Sequence, residues 1–115
     1  MDDATYLLRA VDRLADRLRA LPQSRLHQGA AAEGLALARE LSVRAQRLEA
    51  PGTPPRIMPD AGVFMIADQV AVAGHDLAHA LERAPGGAAD AESGGRGRAA
   101  EAVALVEAAA GRCGL

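Results

Sequence analysis

Apolar side chains recur along the first fifty residues at spacings of three and four. Between residues 3 and 21 they are Leu7, Val11, Leu14, Leu18 and Leu21, with Arg9, Asp12, Arg13, Asp16 and Arg17 on the opposite side. That heptad stripe predicts an amphipathic helix. Pro22 stops it, because proline has no amide hydrogen to donate within a helix. A second helix is expected over residues 24–50, capped by Ser24, with the stripe Leu26, Ala30, Gly34, Leu37, Leu41, Ala45 and Leu48. Its spacings of 4, 4, 3, 4, 4 and 3 are closer to an eleven-residue than a seven-residue period, which implies little left-handed supercoil. The short link predicts that these two helices form an antiparallel hairpin.

Pro51, Pro54, Pro55 and Pro59 then interrupt the pattern. They favour extended, polyproline-like backbone and a rigid loop, with Ile57 and Met58 expected to tuck under the bundle end. Asp60 reads as the N-cap of a third helix over residues 60–84. Its stripe is Val63, Ala67, Val70, Gly74, Leu77 and Leu81. Five glycines within residues 85–98 predict a flexible connection. A weaker fourth helix, over residues 99–112, carries Val103, Val106 and Ala110. The expectation is an all-α, antiparallel four-helix up-down bundle, one domain over residues 1–115, with a Pro-rich second connection and a flexible Gly-rich third.

Composition qualifies the core. Half of the chain is apolar, but about half of that is alanine, and the only aromatic carbocycles are Tyr6 and Phe64. At roughly 25 cal/mol per Å² buried, such a core favours close helix contact and makes self-association a natural source of further burial. Gly34 and Gly74 lie on core stripes in mid-helix, where glycine costs about 1 kcal/mol relative to alanine. Close helix approach is the expected compensation, and a gap for a ligand the alternative.

Net charge is −2, and all thirteen basic residues are arginine, as in a GC-rich coding sequence. No basic face stands out and aromatics are too few to stack on bases, which disfavours nucleic-acid partners. No apolar run is long enough for a bilayer, and the acidic, arginine-studded start does not read as a signal peptide, so a cytoplasmic location without membrane contact is expected. The single Cys113 excludes an intramolecular disulfide. It reads as an incidental thiol that Arg112 would acidify.

His75-Asp76-Leu77-Ala78-His79 is the stretch with chemical potential. On a helix its imidazoles stack one turn apart. At 100° per residue they fall opposite the core stripe, on a mixed face of Phe64, Asp68, Val72, His75, His79 and Glu82. The bland reading is a solvated surface. The metal reading uses His75 and His79 as a bidentate pair for zinc, nickel or copper, with Asp68 and Glu82 adding carboxylates.

The segment resembles the His-Glu-x-x-His helix of zinc proteases, with Asp76 in the glutamate's place. It also resembles the phosphorylated box of histidine-kinase dimerisation helices, a likeness that implies His75 as phosphoacceptor. Histidine phosphotransfer domains are small four-helix bundles too; their usual lysine and glycine are Ala78 and His79 here. Val70 to Ala78 resembles the closing helix of actinobacterial DinB-like thiol transferases, metal-binding bundles whose ligand histidine falls at Ala73.

Phe64 and Val72 give the same face a second use, as a contact surface. Glu40, Arg44 and Arg47, with Glu33, edge the second helix like the flanking charges of coiled coils that set partner and orientation. No phosphate-cradling glycine loop and no nucleophile with a base partner is recognisable. The expected function is therefore a non-enzymatic protein-interaction or regulatory module that binds a protein or a second copy. It needs no cofactor; the alternative is a metal-binding or phosphoacceptor bundle.

Overall fold

The computed structural model describes residues 2–83 and 96–115. Its regular elements are all helical, and four long helices build the bundle that the periodicity predicts: α1 (Asp3–Ala20), α2 (Ala31–Glu49), α3 (Ile66–Arg83) and α4 (Arg96–Arg112). The expected flexible connection lies outside the described residues except for 96–98, which already belong to α4.

Asp2 starts α1 by accepting bonds from the Thr5 amide and hydroxyl, both at 2.8 Å. This satisfies one of the amides that a helix start leaves without a partner. The stripe from Leu7 to Leu18 is buried as the spacing demands.

The second helix is not continuous from residue 24. A single turn (Gln23–Arg25) and a wide turn (Leu26–Ala30) precede α2, and Gly29 breaks the helical path at φ 138°. Ser24 lies inside that first turn and caps nothing, Pro22 standing at the cap position. Side-chain-bearing residues seldom adopt Gly29's conformation, so the break is written into that glycine. Asp60 likewise does not cap α3. Its carboxylate accepts from the Gly62 amide at 2.9 Å, and Gly62, at φ 92°, introduces a short 3₁₀ turn (Val63–Met65) ahead of α3.

Interhelical contacts fix the directions. Asp12 meets His75 and Arg19 meets Asp68, so α1 and α3 are antiparallel. Gly34 faces Ile66 and Val70 while Glu49 meets Arg83, so α2 and α3 run parallel. Glu33 pairs with Arg112 and Arg44 with Glu101, making α2 and α4 antiparallel. The order of directions is thus up, down, down, up. Both α3 and α4 pack against α1 and against α2, and α1 and α2 face each other across the diagonal rather than as a closely packed hairpin.

The Pro-rich segment makes this possible. At about 3.1 Å per residue, thirteen extended residues reach roughly 40 Å, more than the ~28 Å rise of α2. The segment does not turn under the bundle end; it runs back beside α2. Gln46 clamps it, donating to the Arg56 carbonyl and accepting from the Arg56 amide, both at 2.8 Å. Arg39 donates to the Met58 carbonyl at 2.8 Å and Gln69 to that of Pro59 at 2.9 Å. Met58 packs against the core, whereas Ile57 is 62% exposed.

The core is leucine, valine and alanine, and among the described residues no polar or charged one is buried. Gly34 and Gly74 are the points of closest approach. A Cβ on Gly74 would lie 2.9 Å from Val11 Cβ and nearer still to its methyls; one on Gly34 would meet Ile66 Cγ2 at 2.5 Å. Helix packing, not a ligand gap, accounts for both glycines.

The chain's last residues are held tightly. Leu115 donates to the Ala110 carbonyl and Gly114, at φ 78°, to that of Gly111, the paired bonds of a Schellman motif. Cys113 is buried beside it, its thiol 3.7 Å from the Ala30 carbonyl. Burial, with Glu33 nearby, pushes its pKa up, and Arg112 opposes this only weakly. Arg112 pulls in the expected direction, but burial and Glu33 outweigh it, and Arg112 turns to Glu33 at 2.6 Å.

Candidate functional site

The outer side of α3 resolves into two columns of residues seven apart. Asp68 and His75 lean toward α1, and Glu82 continues their column into solvent; Met65, Val72 and His79 point outward, as 100° per residue requires. Asp68 receives Arg19 at 2.8 Å, and His75 Nε2 lies 2.7 Å from Asp12. The bond to Asp68 raises the Arg19 pKa. Among the described residues, His79 and Glu82 have no hydrogen-bond or ion-pair partner, and no group of three or more His, Cys, Asp or Glu stands ready to hold a metal ion.

The four candidate ligands are thus divided. His75 and Asp68 tie α3 to α1, and His79 and Glu82 face solvent. Gathering the four around a cation would first break two interhelical pairs.

The α1 half of this arrangement is not evident from the helical periodicity alone. The periodicity places Asp12 among the polar residues opposite the core stripe. Asp12 and Arg19 directly follow the buried Val11 and Leu18, seven residues apart, and so edge the core stripe. Their partners Asp68 and His75 are also seven apart. Two complementary pairs at matching spacing were the available signal.

The same side, with the 3₁₀ turn ahead of α3, carries three of the exposed large apolar residues. Phe64 is 79% exposed, Val72 56% and Met65 44%. Phe64 rims a shallow hollow of about 200 Å³ whose walls include Leu18, Leu21, Leu26 and Val63. Tyr6, on α1, is exposed as well, so neither aromatic ring of the chain is used in the core.

Glu40, Arg44 and Arg47 come together elsewhere. They line a cleft of about 380 Å³ with Leu48, Leu77 and Arg98, where α2, α3 and α4 meet. Arg44 bonds Glu40 through Nε at 2.9 Å and Glu101 through Nη1 at 3.0 Å, and the Glu101 bond does most to raise its pKa. Part of the expected flanking charge is therefore spent inside the bundle, joining α2 to α4. No helix among the described residues is long and apolar enough to cross a membrane.

Comparison with known proteins adds no relative: no family model, no curated protein and no solved structure matches this chain.

Proposed function

We propose that this protein is a non-enzymatic interaction module that binds a protein partner through the outer face of α3 and the 3₁₀ turn ahead of it, with Phe64 as the anchor. One observation carries the reading: a chain with a thin, alanine-rich core leaves its only phenylalanine 79% exposed, next to Met65 and in the same surface region as Val72. Burying Phe64 inside would have added more core area than any leucine present. Aromatic and methionine side chains are enriched where proteins meet, and a few well-packed anchors dominate such contacts.

The hollow beside Phe64 offers a complementary place for an apolar side chain of the partner. Polar groups at the edge are already paired, Asp68 with Arg19 and His75 with Asp12. They form a rim that covering the face need not strip bare. The non-enzymatic reading draws on the acids, arginines and histidines, none of them buried among the described residues, several of which link helices.

The test is co-purification from the native host at natural expression level, comparing wild type with Phe64→Asp/Val72→Asp, after circular dichroism has shown both folded. A defined partner, or a second copy detected by light scattering, should be held by wild type and lost from the variant. Equal retention by the two, or a strictly monomeric and partnerless wild type, contradicts the reading.

A further inference from the structure

The cleft between α2, α3 and α4 is separate from the outer α3 face and differs from it in chemistry. Its lining combines the apolar Leu48 and Leu77 with three guanidinium groups, Arg44, Arg47 and Arg98, and one carboxylate, Glu40. Arg44 is fixed by two acids that use Nε and Nη1 and leave Nη2 free of both. Arg47 and Arg98 are exposed and make no ion pair with any described residue. Counting Glu101, the described cleft keeps one surplus positive charge, and Arg47 and Arg98 pair with no acid among the described residues. About 380 Å³ lies in the range of small-molecule sites, which pair apolar walls with a few placed polar groups.

We propose that this cleft binds a small amphipathic anion: a carboxylate or phosphate on a short hydrocarbon body. The acidic head would take Arg47 and Arg98, whose forked donors suit both oxyanions. The hydrocarbon would lie on Leu48 and Leu77, with Arg44 as a rigid wall. Neither half of the ligand suffices. A bare anion gains little from exposed arginines in water and salt, and a neutral chain leaves the guanidinium groups unanswered.

The experiment is an amide NMR titration of the whole protein with octanoate and octyl phosphate, each below its aggregation concentration, and in parallel with acetate, inorganic phosphate and octyl glucoside. Saturable shifts confined to the neighbourhood of Glu40–Leu48, Leu77 and Arg98 are expected with the two octyl anions only. Arg47→Ala/Arg98→Ala should weaken that binding roughly tenfold, and Arg47→Glu should weaken it further; both sites are exposed, so folding is retained. The proposal is overturned if acetate or inorganic phosphate moves the same amides equally, an adventitious ion only. It is equally overturned if octyl glucoside does so, or if the arginine variants bind as wild type does. None of these outcomes bears on Phe64, so the two readings fail separately.

Discussion

The two sides of α3 solve opposite problems. Inward, it is built from the smallest possible parts: Ala67, Ala73, Gly74, Ala78 and Ala80 are buried, and Gly74 admits Val11 to within what would be a collision for any side chain. Outward, it and the 3₁₀ turn ahead of it display valine, phenylalanine and methionine, and Asp68 and His75 tie it to α1. A chain short of large apolar residues has kept several of them off its own core. The inner side is accounted for by this fold alone; the outer side is what the proposed partner would cover.

The sharpest way to break the contrast is Gly74→Ala. Helix propensity favours the change by about 1 kcal/mol, yet the new methyl would strike Val11, whose Cβ leaves little room to yield. Overpacking of this kind costs about 1–3 kcal/mol, so chemical denaturation should show net destabilisation. Gly111→Ala in α4 is the control. Nothing lies within 4 Å of its added Cβ, so stability should rise by up to about 1 kcal/mol. If both changes stabilise, the glycine contact is not tight.

Cys113 tests the core from the other end. Its raised pKa means that, as pH climbs past the ordinary thiol value, the unfolded chain ionises before the folded one. Stability should therefore be complete below that pH and decline above it. Thiol labelling of folded protein should be slow and should accelerate with denaturant. Labelling as fast as a free thiol at neutral pH would place Cys113 at the surface.

A double-mutant cycle on Asp12→Asn and His75→Gln asks how much the rim pair contributes. With side chains 55% and 44% exposed, the coupling should be at most about 1 kcal/mol. A larger value would make the pair a structural linchpin rather than a rim. The smallest effect belongs to Asp2. Its bonds to Thr5 hold its carboxyl below the ordinary value, so the cap acts above that range and is lost as pH falls through the folded value. Amide exchange at Thr5 should quicken on acidification in wild type and be fast throughout in Asp2→Ala.

Side-chain periodicity made the helices legible, and with them the buried stripes, the two glycine contacts and the outward placement of His75 and His79. Directions were not legible in the same way. An apolar stripe reads identically up or down, so the parallel run of α2 and α3 had to come from the connection. Pro51 to Pro59 held that information as length and stiffness: a hairpin needs a few residues, whereas this segment reaches the far end of α2. The break at Gly29 was hidden for a different reason. Glycine is tolerated in helices at modest cost, and only its φ of 138° shows that this one is not helical. Asp12 and Arg19 were obscured because an edge charge and a solvent charge differ by less than one helical turn. On the outer face, residue identities were plain, but the cost of exposing them became visible only once the core was seen to do without them.

The proposed function requires that the outer face of α3 and the 3₁₀ turn ahead of it be covered in the working protein. Hydroxyl-radical footprinting measures this directly, comparing purified dilute protein with the same protein in native-host extract. Oxidation of Phe64 and Met65 should fall several-fold in the extract, while that of Tyr6, on α1, stays as it was. Equal oxidation of Phe64 and Met65 in the two settings would contradict the claim.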